Sequence, residues 1–490
     1  MTGRRPIAAF FAALTIALLI QGCDKSEPLN DRSSTTPDEI ARSWLAGDHH
    51  IHSRHSVKYD ESVDPPAPIV GGSVVYSTAL NAQMGHHHGL SWMVTTDHGG
   101  PDHSKINRDL AYPDLVNSRQ AISGIIQFYG MELDTPGAKH STLIIPHTDD
   151  EADRLFQLEQ AYAWKDAYPE DLARHTEQRM LEALSVMQAL PDKPLVFANH
   201  PGRSATDLGV YTTITPQELR NWNDVAPTVA VGMEGAPGHQ AATLDRDGST
   251  RADRARGNYD DYPTMGGFDQ MTARIGGFWD SMLGEGRRWW ITASSDSHNH
   301  YSEGGKDFWP GEYSKTYVFA EKSYDDILHG LRDGHVFVTT GDLISELTVV
   351  AETLDKKQSS SIGGNLQIEP GSTVQITVRF LDPTGLNAHH DNPSVARLDL
   401  IAGQVSGPVT DRTQDTNSTT RVLKRFAPES WTQDGEYRVV TYELTNVMTD
   451  SYVRVRGTNG AELEPLVDPL GEDPWTDLWF YSNPIFVSVN

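Results

Sequence analysis

The sequence has almost no cysteine. Only Cys23 among the 490 residues carries a thiol, so the chain cannot form an internal disulfide. Clusters of thiolate ligands are also excluded, which rules out iron–sulfur centres and cysteine-rich zinc sites. The fold must therefore rest on its hydrophobic cores and on any metal that histidine and carboxylate groups bind.

Basic residues are scarce as well. The chain has 40 Lys and Arg against 67 Asp and Glu, which gives a formal net charge of -27. Nucleic acids and anionic lipid surfaces are bound through a basic footprint, so we expect neither as a partner. The acidic excess has two interpretations: it keeps the chain soluble, or clustered carboxylates concentrate divalent cations. Only local spacing separates the two.

The N-terminal apolar run, residues 7–20, is shorter than the roughly 20 residues that a membrane-spanning helix needs. With Arg4 and Arg5 before it, the run is typical of a signal peptide over residues 1–22. The stretch Ile20-Gln21-Gly22-Cys23 resembles a bacterial lipobox, which predicts a lipid anchor at Cys23; an ordinary cleaved signal peptide is the alternative. We therefore expect an exported lipoprotein that faces the periplasm, with a flexible tether over residues 23–43.

Two patterns divide the rest of the chain. Residues 44–344 alternate short apolar strands with amphipathic helices, among them predicted helices over residues 171–190 and 267–283. This alternation predicts an α/β fold with a parallel sheet or barrel. Residues 345–490 are β-rich runs separated by Gly, Pro, Asn and Asp, which predicts a C-terminal β-sandwich. Eighteen of the twenty histidines precede residue 345, so we expect the chemistry in the first region.

Five stretches at the carboxyl ends of predicted strands deliver histidine or carboxylate side chains. Residues two apart on a strand point to the same side, so His50 and His52 can share one ion, and so can Asp296 and His298. Each stretch is a weak signal alone, but the carboxyl ends of parallel strands share one face, where five such stretches would converge. Imidazole with carboxylate suits Zn²⁺, Mn²⁺ or Fe²⁺. The stretches are Asp48-His49-His50-Ile51-His52, Thr96-Asp97-His98, Gly130-Met131-Glu132 continuing to His140, Asn199-His200-Pro201, and Ser295-Asp296-Ser297-His298.

The order of these motifs resembles the PHP superfamily (polymerase and histidinol phosphatase) over roughly residues 45–345. A softer likeness to its carbaryl-hydrolase-like branch rests on Gly330-Leu331-Arg332-Asp333-Gly334 through Thr340-Gly341 and on Ser482-Asn483-Pro484-Ile485-Phe486-Val487. The resemblance implies a distorted (β/α)7 barrel with up to three metal ions at the strand ends. It also implies hydrolysis, mostly of phosphoesters.

The resemblance also implies a ligand set. It assigns His50, His52, Glu132 and Asp296 to a first ion; Glu132, His140 and His200 to a second; and His98 and His298 to a third. The family's further ligand would fall near Lys58, which cannot bind an ion while charged, so the flanking His55 and Asp60 are candidates. A two-metal centre is therefore a firmer expectation than a three-metal one.

The surrounding residues carry expectations of their own. Strand alternation predicts that His49 faces away from His50 and His52. Asp97 is expected to orient a neighbour rather than to bind metal, and Glu234 and His239 are candidates for supporting contacts. Arg203 is a candidate clamp for a phosphate group, with a surface ion pair as its alternative.

The expected function is that of a metal-dependent hydrolase. Two ions would lower the pKa of a shared water to about 7, and the hydroxide would attack phosphorus or a carbonyl carbon. Glu132, Asp296 and Arg203 are the expected catalytic residues, and the partner is a small-molecule ester. Two alternatives stay open: a carbamate or carboxylic or aryl ester hydrolase on the same centre, and a surface binding lipoprotein with a structural metal site.

Overall fold

The computed structural model describes residues 41–259 and 261–490. Arg42–Asn490 forms one compact unit. The predicted signal peptide, the lipid-attachment site at Cys23 and most of the tether lie outside the described residues. Within the described ranges no helix is both long enough and apolar enough to cross a bilayer.

The helices of the described ranges are short. The α-helices are α1 (Thr78–His87), α2 (His103–Ile106), α3 (Tyr112–Ala121), α4 (Glu151–Tyr162), α5 (Glu177–Ala189), α6 (Pro216–Val225), α7 (Gln270–Ala273), α8 (Phe278–Gly284) and α9 (Tyr324–Asp333). A π-helical turn, Asn107–Ala111, joins α2 to α3. Single 3-10 turns lie at Trp164–Asp166, Leu172–Arg174, Gln240–Thr243, Arg256–Asn258, Tyr301–Glu303 and Pro428–Ser430.

Strands run through the whole described chain. Those before residue 345 are β1 (Ser43–Ile51), β2 (Lys58–Asp60), β3 (Ala67–Ile69), β4 (Trp92–Thr95), β5 (Ile126–Asp134), β6 (His140–Ile145), β7 (Leu195–Ala198), β8 (Ala230–Ala236), β9 (Trp290–Ala293), β10 (Ser314–Ala320) and β11 (Val336–Thr340). Those after it are β12 (Glu346–Thr353), β13 (Ser359–Ser361), β14 (Asn365–Ile368), β15 (Ser372–Leu381), β16 (Arg397–Gln404), β17 (Arg421–Phe426), β18 (Thr432–Asp434), β19 (Tyr437–Val447), β20 (Ser451–Thr458), β21 (Trp479–Ser482) and β22 (Ile485–Val489).

The strands of the first region, except the separate hairpin of β2 and β3, belong to one large mixed sheet. Its order is β14-β22-β20-β21-β11-β10-β1-β4-β5-β6-β7-β8-β9, with β16 and β17 attached through β20. The pairs β1/β4, β4/β5, β7/β8 and β8/β9 are parallel. The pairs β5/β6, β6/β7 and β1/β10 are antiparallel, so the sheet is mixed rather than purely parallel as expected. Beyond β9, the amide of His52 donates to Ser297 O at 2.9 Å, which links the end of the β9 segment to the end of β1.

The second region combines a five-stranded antiparallel sheet with strands of the large sheet. The five-stranded sheet has the order β13-β12-β15-β19-β18. Its strand β15 buries Val374, Ile376 and Val378 on alternate positions, the period of a strand with one face on a core. These residues share one hydrophobic cluster with Leu400 of β16 and Val455 of β20, so the two sheets bury a common core.

Two predicted helices are shorter than expected, each for a local reason. The helix predicted over residues 171–190 begins at Glu177, because the Thr176 side chain caps it by accepting from the amide of Arg179. The helix predicted over residues 267–283 is divided into α7 and α8. Gly276, at a φ of +70°, turns the chain between them into a conformation that a helix cannot contain.

Candidate metal centre

The expected ligands come together at one edge of the large sheet. His50 lies near the end of β1 and His52 just beyond it, Glu132 lies near the end of β5, and Asp296 follows β9. His140 reaches the same edge in a different way, because it is the first residue of β6, which runs antiparallel to β5. The start of a reversed strand lies beside the end of its neighbour, so a carboxyl-end rule alone would have misplaced this ligand.

The first group is fully buried and has the spacing of a tetrahedral ion site. Nε2 of His50 lies 3.3 Å from Glu132 Oε1 and 3.3 Å from Asp296 Oδ1. Nε2 of His52 lies 3.5 Å from Glu132 Oε2 and 3.2 Å from Asp296 Oδ1. Ligands at 2.0–2.1 Å from a tetrahedral zinc ion stand about 3.3 Å apart, so the distances between the two imidazoles and the two carboxylates are compatible with such a site.

Glu132 connects this group to a second one. Its Oε1 lies 2.9 Å from His140 Nδ1 and 3.3 Å from His200 Nε2, while its Oε2 faces His52. The two oxygens of one carboxylate therefore face two neighbouring groups, each of which can hold a metal ion. The side-chain amide of Asn199 also donates to Glu132 Oε1 at 3.2 Å and restricts the rotation of the carboxylate.

A third group is formed by His52, His98 and His298. The residues considered for completing it do not join it. Asp60 lies on β2, is exposed, and accepts hydrogen bonds from Ser62 at 2.6 and 3.0 Å. His55 is buried, but its Nε2 is bonded to Asp114 at 2.9 Å. The structure therefore brings eight of the nine expected ligands together and leaves Asp60 outside.

Hydrogen bonds fix which ring nitrogen His50 and His52 can each offer to an ion. Nδ1 of His50 donates to Glu234 Oε1 at 2.6 Å, which leaves the Nε2 lone pair for an ion. Ser56 donates its proton to Asp97 Oδ1 at 2.8 Å, so Nδ1 of His52 is the donor in its 3.0 Å contact with Ser56. Nε2 of His52 is then buried between carboxylates without a hydrogen bond, an arrangement that a cation satisfies.

His49 and Asp97 lie outside the ion groups, as the sequence predicted. His49 is turned away from the ligands: its Nε2 lies 2.7 Å from Thr292 Oγ1 and its ring stacks on Phe197. Asp97 accepts from Ser53 and Ser56 and holds the turn after β1, so it supports His52 instead of joining an ion group.

The electrostatics of the site favour a bound cation. Burial raises the pKa of a carboxyl group, but the neighbouring histidines outweigh it and hold the pKa values of Glu132 and Asp296 well below their usual range. Burial lowers the pKa of His50, but Asp296, Glu132 and Glu234 outweigh it and raise that pKa well above 6.5. Two anions thus stay charged inside the protein, where Arg203, a proton on an imidazole or a metal ion can balance them.

Three histidines, by contrast, are neutral at physiological pH. Burial, with His298 adding to it, lowers the pKa of His52 to about 3. Burial also lowers the pKa values of His98 and His200 to about 3, helped by His52 and Arg203 respectively. A neutral imidazole keeps the lone pair that a metal ligand needs.

The backbone is strained at the same place. His200, His239 and Asp296 have φ values of +32°, +59° and +47°, a region that costs side-chain-bearing residues about 1–3 kcal/mol. Gly238 makes the approach of this chain to Asp296 sterically possible, since a Cβ on it would come within 2.2 Å of the Asp296 Cβ. Such strain persists where the surrounding structure holds it in place.

Asp296 has a second set of neighbours on the side away from the histidine pair. Its Oδ2 lies 3.0 Å from His239 Nε2 and 3.2 Å from Arg203 Nη2. Nδ1 of His239 is hydrogen-bonded to Asp307, a buried residue that the sequence analysis did not single out. Asp307 lies in an irregular segment with no strand period and no motif, so the sequence carried no signal for it.

A separate group of side chains has similar spacing but a different occupant. Asp468, Glu472 and Asp477 lie within ligand distance of one another. The guanidinium of Arg256 lies among them, 3.0 Å from Glu472 and 3.8 Å from Asp477. An arginine therefore already supplies the positive charge, and we interpret this group as a buried ion-pair network.

Neither models of known protein families nor curated proteins match this chain.

Proposed function

We propose that the chain is a PHP-type metal-dependent hydrolase that cleaves phosphoesters at the histidine–carboxylate centre. The observation that carries the proposal is Glu132, whose two oxygens face two adjoining ligand groups. A carboxylate in that position is what a centre with two or three Zn²⁺, Mn²⁺ or Fe²⁺ ions requires, and these groups have the membership that the family resemblance implies.

Bound divalent ions would supply Lewis acidity and a water of low pKa. The chain's own residues hold and orient the parts. Asp296 and Glu132 fix the ligand geometry. Asn199 limits the rotation of the Glu132 carboxylate, and Glu234 limits the rotation of the His50 ring. Arg203 is buried beside Asp296, and its Nε has no hydrogen-bond partner. A guanidinium beside the proposed ligands is suited to a phosphoryl oxygen.

Two further expectations belong to this proposal. The hydrogen bond between His52 N and Ser297 O, with the parallel bridge of Ile51 to Ser297, supports closure of the large sheet into the (β/α)7 barrel that the resemblance implies. The lipobox-like stretch at Cys23 supports an exported lipoprotein that carries the barrel and its C-terminal β-sandwich on the periplasmic side of a membrane.

The test combines elemental analysis with an ester panel. The full chain, purified in detergent, is expected to contain Zn, Mn or Fe and to hydrolyse p-nitrophenyl phosphate or bis-p-nitrophenyl phosphate. Metal-replete protein that turns over neither phosphate ester would contradict the proposal. Turnover of 1-naphthyl carbamate alone would identify the carbamate or aryl ester hydrolase, and metal without any turnover would favour the binding lipoprotein.

The double variant His50→Ala with His52→Ala tests the centre itself. It removes two of the four ligands of the first group, so its metal content is expected to fall by at least one ion per chain. The matched control is His389→Ala with His390→Ala, a pair of adjacent histidines outside every ion group of the described residues. Unchanged metal in the ligand variant would refute the assignment.

A further inference from the structure

A buried pair behind the ligands, Asp307 and His239, connects two separate parts of the candidate centre. His239 lies between two carboxylates: its Nδ1 is bonded to Asp307 Oδ1, and its Nε2 lies 3.0 Å from Asp296 Oδ2. Both residues are almost fully buried: 4% of the surface of His239 and 1% of that of Asp307 are exposed. Water therefore cannot replace either contact easily.

The other oxygen of Asp307 holds the chain that carries a second ligand. Asp307 Oδ2 accepts from the backbone amide of His298 at 2.8 Å and from the backbone amide of Asn299 at 2.9 Å. One carboxylate thus fixes the backbone of His298 directly and the side chain of Asp296 through His239. Asp296 and His298 are the ligands that follow β9, and they belong to different ion groups.

The position of Asp296 depends on such support. Its φ of +47° is strained, and only its Oδ1 faces His50 and His52. The contacts of Oδ2 with His239 and Arg203 limit the rotation of the carboxylate and so keep Oδ1 directed at His50 and His52. A supporting residue of this kind changes metal affinity because it sets the orientation and basicity of the ligand.

We infer that Asp307 and His239 form a positioning pair that sets the orientation of Asp296 and the backbone of His298, and thereby the affinity of the centre for divalent ions. The inference rests on the proposed function, since it assumes that Asp296 and His298 bind metal. In this inference the pair acts through these ligands, although His239 and Asp307 also lie within ligand distance of His298.

Asp307→Asn is the first test variant. The Asn oxygen can still accept from the amides of His298 and Asn299, so the loop is retained while the carboxylate facing His239 is lost. His239→Gln is the second variant, and it breaks the same connection without changing the loop. The control is Glu312→Gln, which removes the carboxylate from a buried histidine pair of the same loop, with His300 Nε2 at 2.9 Å, that touches none of the proposed ligands.

Metal-free full-length proteins are titrated with Zn²⁺ and, separately, with Co²⁺, whose visible absorption reports ligand geometry. Both test variants are expected to bind Zn²⁺ about 10–100-fold more weakly than wild type with unchanged stoichiometry and an altered Co²⁺ spectrum, while Glu312→Gln matches wild type. With bis-p-nitrophenyl phosphate, we expect a reduced kcat with little change in KM once zinc is saturating. Thermal unfolding of the metal-free proteins checks that each variant is folded.

Three outcomes would overturn the inference. Wild-type affinity and spectrum in both test variants would show that the pair does not position the ligands. Loss of one whole ion with normal affinity at the rest would show that Asp307 or His239 is itself a ligand. Absence of metal binding in wild type would remove the proposed function together with the inference, whereas the first two outcomes leave the proposed function intact.

Discussion

Two regions of the molecule bury carboxylates, and they balance the charge in different ways. In the arginine-paired region, Asp280 is held by Arg454 at 2.8 Å and Asp399 by Arg456 at 3.1 Å, all fully buried. In the metal centre, Glu132 and Asp296 face mainly histidines, three of which are neutral at physiological pH.

The difference shows which buried carboxylates could take a bound cation as a partner. An arginine carries a permanent charge, so the arginine-paired region is complete without any ion. In the candidate metal centre, Arg203 and the protonated His50 and His140 balance the carboxylates, and a divalent ion could take the place of the protons on the two histidines. We therefore expect that the arginine pairs contribute to the free energy of unfolding independently of added metal. The contribution of the candidate metal centre should increase when metal is added.

The largest effect is expected from Asp280→Asn. This change keeps the shape of the side chain but leaves the buried Arg454 guanidinium without its bidentate carboxylate. Breaking one partner of a buried pair costs about 3–5 kcal/mol, so the free energy of unfolding measured with urea should fall by that amount.

A matched exposed pair provides the control for that measurement. Asp434→Asn removes the carboxylate that lies 3.2 Å from Arg379 at the surface, where solvent screens the interaction. We expect little change in the free energy of unfolding. An equal loss in the two variants would mean that burial does not separate the pairs and would break the comparison.

A smaller effect is expected from metal itself. A ligand present at 100 times its dissociation constant stabilises the folded state by about 2.7 kcal/mol. Zinc should therefore raise the unfolding free energy of metal-free wild type by about this amount and that of Asp280→Asn equally. The variant His50→Ala with His52→Ala should gain much less, and a full gain there would place the ion elsewhere.

The smallest effect concerns a third kind of charge balance, a histidine that pH can neutralise. Burial lowers the pKa of His103, but the charge and hydrogen bond of Glu159 outweigh it and raise the pKa from 6.5 to about 9. A raised histidine pKa stabilises the folded state below pH 6.5, and that contribution disappears as pH rises through about 9. It is worth on the order of 1–3 kcal/mol.

Glu159→Gln tests this pair. Wild type should be more stable than the variant at pH 6, and the difference should shrink steadily up to pH 9.5 in urea unfolding experiments. The metal centre titrates in both proteins, so its contribution cancels in the difference. A difference independent of pH would show that His103 does not carry the charge.

The sequence predicted which side chains come together better than it predicted their setting. Spacing along a strand placed His50 and His52 on one side and His49 on the other, because the alternation of side chains is a property of a single strand. Spacing failed for Asp60, since the turn after His52 leads into a separate exposed hairpin formed by β2 and β3. The ligand spacing that the family resemblance implies does not describe the path of the loop in this chain.

Among the supporting residues, the sequence made Glu234 and His239 candidates but gave no indication of Asp307. Glu234 lies near the end of β8, where the strand pattern made it a candidate. Asp307 stands in an irregular segment, and only its contacts with His239 and with the backbone of His298 identify it. Periodicity carries no information where the chain has no regular structure.

The sequence by itself determined which side chains are available to bind metal: carboxylates, a single cysteine and histidines concentrated before residue 345, in an order that predicts a metal centre. Residue type and the two-residue period of a strand are local properties, and local reasoning reaches them. Only the tertiary structure decided that β6 is reversed to bring His140 to Glu132, that Asp60 is left outside, and that Arg256 fills the other carboxylate group. Those outcomes depend on contacts between residues far apart along the chain, which no short pattern encodes.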